Sequence, residues 1–193
     1  MQARLARYHL RMSTPAAIRR LSPEAYLAWE AEQIDRHELV DGLPYAMAGA
    51  GRLHEEVAGA LFALLWEHLE GKACRAYKGD RKLQVGTDFF YPDIVVTCDA
   101  VDRRADGAIR APVAIIEVLS RPTAAYDRGE KLQRYVTLAT LEVCLIADPE
   151  SRQVERYDRS DGWTRRTLPS TDPIVIEAID FTCDQQRIFA AVD

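Results

Sequence analysis

The strongest constraint in this chain is a single acid set in an apolar strand. Residues 113–119 read VAIIEVL, apolar at every position except Glu117. Apolar residues on consecutive rather than alternate positions are the pattern of a strand covered on both faces. A carboxylate there is costly unless it is paired, protonated or bound to a cation. Any fold this chain adopts must therefore deliver a partner to Glu117. Upstream, Tyr91-Pro92-Asp93-Ile94-Val95-Val96 places an acid at the head of a second apolar run. Pro92 fixes the local backbone and biases Tyr91 towards an extended form, so Asp93 projects from a defined position. Downstream, Lys131 sits in a segment with helix-forming character.

The rest of the chain frames these three residues. Ser22-Pro23 opens a short amphipathic helix, with Ser22 as N-cap and Pro23 at the first helical position. Asp41-Gly42 between two apolar runs signals a tight hairpin. A helix of about 54–69 repeats Val57, Leu61, Leu64, Leu65 and Trp66 at near-helical spacing and ends near Gly71. Strands are expected at 74–77, 82–85 and 89–96, followed by an acidic loop over 99–107. Asp127 and Glu130 have capping-box spacing, predicting a helix that starts at Asp127 and runs to Leu138. A strand at 142–147, strand pairs around Asp161-Gly162 and a helix near 185–191 complete the chain. The order predicts an α/β or α+β fold, a mixed sheet flanked by helices, with an N-terminal helix and hairpin and C-terminal strands. Residues 1–20 read as a flexible basic leader, or an arm that touches DNA, with Met12 as an alternative start; residues 21–193 form one domain.

Composition removes several classes of function. A net charge of −5 argues against coating nucleic acid non-specifically. No apolar run approaches the roughly 18 residues that span a bilayer, so no membrane partner is expected. Cys74, Cys98, Cys144 and Cys183 are widely spaced, with no CxxC or Cys/His pairing. That spacing argues against structural zinc and against disulfides, and so for a reducing cytoplasm.

At this level the sequence resembles the PD-(D/E)XK nuclease superfamily, and within it the Uma-two branch of restriction endonucleases. The resemblance is carried by 38–42 (ELVDG), 47–49 (MAG), His54 opening a helix, 91–96 (YPDIVV), 116–120 (IEVLS), and Asp127 with Lys131 and Tyr135. It implies a restriction-endonuclease-like fold that hydrolyses phosphodiester bonds of DNA with Mg2+ or Mn2+. It implies that Asp93, Glu117 and the Val118 carbonyl hold the metal, and that Lys131 orients or helps deprotonate water. Glu38 and His54 face the same site, Glu38 as a further ligand and His54 as a polar contact. The oligomeric state stays open, although a duplex cutter of this size would need two copies, a homodimer, to cut both strands in one encounter.

One position departs from the superfamily pattern. Leu119 stands two residues after Glu117, where a lysine is usual, and the resemblance implies that Lys131 replaces it. A non-catalytic nuclease-fold module that binds DNA or a protein, or an adaptor whose acids are satisfied internally, stays open beside the enzyme. Residue by residue, Asp93 also reads as a turn acid, Asp127 as an N-cap, Tyr135 as packing and His54 as a wet helix start. Lys131 also reads as a solvated partner of Asp127. Arg81 and Lys82 before Asp93, and Arg121, Arg128 and Arg134 around Lys131, read either as guides for a DNA backbone or as a solvated surface. With two acids crowded together, removing Asp93 is expected to leave thermal stability equal or higher.

Overall fold

The computed structural model describes residues 20–47, 49–190 and 192. The basic leader through residue 19, with Met12, lies outside the described residues, as does Ala48 of the 47–49 motif. The first elements form as the sequence predicts. The Ser22 hydroxyl accepts from the Ala25 N–H at 3.2 Å and caps α1 (Pro23–Glu30). Strands β1 (His37–Val40) and β2 (Leu43–Ala46) turn through Asp41 and Gly42 at φ 50° and 78°, which a two-residue hairpin turn demands. Helix α2 (Arg52–Leu69) buries Val57, Leu61, Leu65 and Leu69 on one face and stops before Gly71, whose φ is 72°.

The expected strand over 89–96 is in fact two. After β3 (Arg75–Lys78) and β4 (Leu83–Val85), β5 (Asp88–Phe90) and β6 (Ile94–Thr97) belong to different sheets, with Tyr91-Pro92-Asp93 between them. Pro92 has no N–H to give to a ladder, so the chain leaves one sheet there and enters the next. The expected loop over 99–107 holds a short helix, α3 (Ala100–Arg104). The Asp99 carboxylate nucleates it by accepting from the Val101 and Asp102 N–H groups at 2.8 and 2.9 Å.

Strand β7 (Pro112–Val118) leads into α4 (Ala124–Tyr126), a π-turn (Asp127–Lys131) and α5 (Leu132–Tyr135). The helical stretch thus begins three residues before Asp127 and ends at Tyr135. Asp127 is not its N-cap: its carboxylate faces inward and accepts from the Thr123 hydroxyl at 2.7 Å. Strands β8 (Val143–Asp148), β9 (Gln153–Asp158), β10 (Arg166–Leu168), β11 (Pro173–Ile176) and β12 (Phe181–Asp184) precede α6 (Gln185–Phe189).

The strands form a six-stranded sheet, β10-β9-β8-β7-β6-β3, a four-stranded sheet, β2-β1-β5-β4, and the pair β11-β12. The large sheet is mixed, since β7 and β8 run parallel while β6 and β7 run antiparallel. Both its faces are covered. Ile94, Val96, Ile116 and Val118 pack with Val57, Leu61 and Leu65 of α2, whereas Val95, Ile115 and Leu119 pack with Tyr135, Phe90 and Leu83. Side chains alternate across a strand, so Glu117 shares the second face with Ile115 and Leu119, and Asp93 shares it with Val95.

The cysteine reading is corrected. Cys74 and Cys98 form a disulfide across β3 and β6. The ladder pairs Arg75 with Thr97, and one step further the two cysteines face each other. Linear spacing could not show a contact made by strand register. The cysteine argument for a reducing compartment thereby loses its premise. Among the described residues, no helix is long and apolar enough to cross a membrane.

Candidate active site

Register brings the two acids together. β6 and β7 pair Ile94 with Ile116, and one step beyond that pair Asp93 stands opposite Glu117. Each acid is then tied to the other's strand: the Val118 N–H donates to Asp93 Oδ2 at 2.7 Å, and the Asp93 N–H donates to Glu117 Oε2 at 3.2 Å. This reciprocal pair needs the ladder to end at Asp93, which the Pro92 break ensures.

Lys131 arrives from the helical stretch after β7. Thr123, Asp127, Lys131 and Tyr135 recur every fourth residue, a spacing that aligns side chains on one helix face. The π-turn over 127–131 lies at this point, a local irregularity that often marks functional sites. The Lys131 ammonium lies 3.0 Å from Glu117 Oε1, 3.3 Å from Glu38 Oε1 and 3.5 Å from Asp127 Oδ1. It is not the solvated helix residue that the sequence also allowed, since only 6% of it is exposed. Tyr135 packs in the core and also donates from its hydroxyl to Glu117 Oε1 at 2.7 Å.

Glu38 and His54 join the same cluster. Glu38 is a brace: Oε1 accepts from the Tyr91 N–H at 3.1 Å and Oε2 from the Tyr126 hydroxyl at 3.2 Å. One carboxylate therefore links β1, the turn that carries Asp93 and the helix that carries Lys131. His54, in the first turn of α2, places Nε2 3.0 Å from Asp93 Oδ1 and is not a wet surface residue. Sequence reasoning missed Tyr126, Thr123 and Tyr91 as members of this network. The four-residue spacing of Thr123 before Asp127 was the available signal; nothing local marks the other two.

The balance of charge follows from burial. Burial pushes the Glu117 carboxyl up to about 8; Lys131 opposes this, and Asp93 and Asp127 add to it. Burial likewise raises Asp127. Burial works against the charge on Asp93 too, but the bond to His54, the Val118 N–H and Lys131 outweigh it and hold that carboxyl below the usual range. Burial disfavours charged Lys131, yet Glu117, Glu38, Asp127 and Asp93 together keep its pKa well above the ordinary lysine value. Four carboxylates thus converge with one lysine and one histidine, a surplus of negative charge that a divalent cation would neutralise. The oxygen donors of Asp93 and Glu117 suit Mg2+ or Mn2+. Among the described residues, no three His, Cys, Asp or Glu side chains are arranged to hold a metal, so the fit rests on two carboxylates with a backbone oxygen.

The cluster forms the floor of an open cleft of about 1040 Å3, whose lining includes Val118, Ser120, Tyr126 and Tyr45. The arginines proposed to guide DNA are committed elsewhere. Arg121 pairs with Glu150 at 2.6 Å, Arg128 with Glu155 at 2.8 Å, and Arg134 with Asp88 at 2.7 Å and Asp41 at 2.9 Å.

A mixed sheet flanked by helices, with cross-strand acids at the strand ends and a lysine returned from the next helix, defines a restriction-endonuclease-like protein. The chain belongs to the Uma2 family, described as "Putative restriction endonuclease", which it matches over residues 23–184. It is 35% identical over 171 residues to the uncharacterised protein slr1290 of Synechocystis, covering 86% of this chain and 90% of that one. It is 26% identical over 152 residues to sll1609 of the same organism, covering 77% and 86%. A crystal structure from Anabaena variabilis, described as a "putative nuclease", superposes with a TM-score of 0.76 at 14% identity, covering 90% of this chain and 99% of that one.

Proposed function

We propose that this protein is an endonuclease that hydrolyses phosphodiester bonds of DNA with the help of Mg2+ or Mn2+. The observation that carries the reading is the position of the Lys131 ammonium, 3.0 Å from Glu117, on the floor of an open cleft. When bound between Asp93, Glu117 and the Val118 carbonyl, the metal would supply positive charge at the scissile phosphate. The chain's own residues set up the rest. His54 and the Val118 N–H fix the two oxygens of Asp93, so its carboxylate is presented in one orientation. Lys131, kept charged by the acids around it, orients the attacking water and stabilises charge on the phosphate rather than taking a proton. Glu38 holds Lys131 and the Asp93 turn in register.

Nicking of circular DNA, both a supercoiled plasmid and a single-stranded circle, tests this with either ion against a chelator control. Metal-dependent nicking that disappears in Asp93→Asn and Glu117→Gln is the expected result. A parent protein that nicks neither circle supports the inactive nuclease-fold module instead. The observation favouring that second reading is that the oxygens of Asp93 and Glu117 already have partners within the chain.

A further inference from the structure

Lys131 meets Glu117 because the helical stretch that carries it is not a plain α-helix. Thr123 donates to Asp127 at 2.7 Å, Asp127 lies 3.5 Å from Lys131, and Lys131 and Tyr135 both reach Glu117 Oε1, at 3.0 and 2.7 Å. Contacts that recur every fourth residue need about 90° of rotation per residue, whereas an α-helix turns by about 100°. From Thr123 to Tyr135 the excess would reach about 120°. The π-turn over Asp127–Lys131 closes its hydrogen bonds one residue later, so it absorbs one extra residue and takes back about 100°. The upstream end is fixed, since the Tyr126 hydroxyl donates to Glu38 at 3.2 Å. Loss of the extra residue from the turn would therefore rotate Lys131 and Tyr135 together away from Glu117.

A π-turn is a rarely adopted geometry, and the sheet supports this one at Arg128, its second residue. Arg128 Nε donates to Glu155 Oε1 at 2.9 Å, and Nη2 lies 2.8 Å from the same oxygen. Glu155 is a buried acid outside the cleft lining. Register places it in line with Glu117: Glu117 of β7 pairs with Ile146 of β8, and Ile146 pairs with Glu155 of β9. Residues opposed across neighbouring strands share a face, so both acids point at the helical stretch from positions roughly 10 Å apart. Neutralising Glu155 does not by itself require Arg128, because Arg165 Nη2 and the Tyr157 hydroxyl each donate to it at 2.8 Å. Arg128 adds a second tether. One turn is tied to the sheet through Lys131 and through Arg128, and it cannot rotate about its axis without breaking one of the two.

We propose that Arg128 and Glu155 are positioning residues, which hold the π-turn in register and so set the Lys131 ammonium against Glu117. This rests on the nuclease reading and adds to it a pair that touches neither metal nor substrate.

Nicking of circular DNA with Mn2+ over a range of DNA concentrations is measured for Arg128→Ala, Glu155→Gln and Arg165→Ala, alone and combined with Lys131→Ala. Arg128→Ala and Glu155→Gln should lower kcat by roughly tenfold to a hundredfold with KM unchanged, the scale of a small misplacement of a reacting group. Arg128→Lys should recover part of the rate, since an ammonium still reaches Glu155. Arg165→Ala, which removes a partner of Glu155 outside the turn, should nick like the parent. Combined with Lys131→Ala, neither Arg128→Ala nor Glu155→Gln should cost more than about twofold further, because the pair acts through Lys131. A full additional loss in that background overturns the proposal, as does an Arg128→Ala variant that nicks like the parent. Amide hydrogen exchange of the metal-free protein reads the tether without activity: the segment 127–135 should exchange faster in Arg128→Ala and at the parent's rate in Arg165→Ala. Unchanged exchange in Arg128→Ala also overturns the proposal. A parent that nicks no DNA fails the nuclease reading, and the exchange result then decides by itself whether the pair holds the turn.

Discussion

Lys131 reaches Glu117 from the helix that follows the strand, its ammonium 3.0 Å from Oε1, while Leu119 occupies a buried core position two residues past the acid. The charge absent from the strand is thus restored in space. Lys131→Ala should reduce nicking by about a hundredfold or more, the scale of a positioned charge-stabilising group. Affinity for Mn2+ by calorimetry should be unchanged or tighter, since a cation beside the carboxylates has been removed. Lys131→Arg should recover little, because a planar fork does not replace a compact ammonium in so enclosed a site. Loss of metal affinity in Lys131→Ala would show that the lysine only maintains structure.

The Cys74–Cys98 disulfide closes the outer end of the β3–β6 ladder, with a sequence separation of 24. Closing a loop of that size stabilises by about 3 kcal/mol through the unfolded chain. Reduction, or the double change Cys74→Ser and Cys98→Ser, should lower Tm by roughly 6–12 °C for a chain of this length. Calorimetric melts with and without reductant check this. A Tm that does not move under reductant, with thiol titration showing the bond open, counts against a structural role.

Much of this arrangement was legible in the sequence because it is encoded locally. The Ser22 cap, the Asp41-Gly42 turn and the Leu61–Leu65 face each rest on residues within one turn of each other. Asp93 and Glu117 were legible for a different reason, since an acid among apolar neighbours is conspicuous wherever the chain goes. What stayed hidden depends on register between distant segments. The Cys74–Cys98 pairing, the bond from Tyr126 to Glu38 and the bond from Tyr91 to Glu38 are set by how strands align, which no local pattern records. Asp127 misled for a related reason: its spacing to Glu130 imitates a capping box, but Ser120 and Thr123 had already begun the helix.

Away from the cleft, Asp158 at the end of β9 gives a pH-dependent test of stability. Burial opposes its charge, but the bonds from Arg156, at 2.7 and 3.0 Å, and from Arg166 outweigh burial and hold its carboxyl below the usual range. A depressed folded pKa means the stabilisation is present above the unfolded value of about 3.9 and is lost as pH falls through the folded value. Asp158→Asn should therefore cost about 2 kcal/mol near pH 7, or roughly 4–8 °C in Tm. The gap to the parent should shrink as melts are taken from pH 5 towards pH 3. A gap independent of pH would mean that packing, not charge, is what Asp158 contributes.

The two acids of the site should respond oppositely to neutralisation, contrary to what crowding alone suggests for Asp93. Asp93 is the favoured charge, with Oδ2 receiving the Val118 N–H at 2.7 Å and Oδ1 lying 3.0 Å from His54 Nε2. Glu117 is the disfavoured one, pushed up to about 8 by burial, with Asp93 and Asp127 adding to the shift and Lys131 opposing it. In metal-free protein at pH 7.5, Asp93→Asn should lower stability by about 1–3 kcal/mol, since it weakens bonds that a carboxylate accepts. Glu117→Gln should leave stability unchanged or raise it, because burial and the neighbouring acids oppose the charge of the native side chain. Chemical denaturation with a chelator present measures both. Destabilisation of Glu117→Gln as large as that of Asp93→Asn would mean the Lys131–Glu117 pair is a charged bridge in the resting protein. A charged Glu117 would add to the negative surplus that favours a divalent cation.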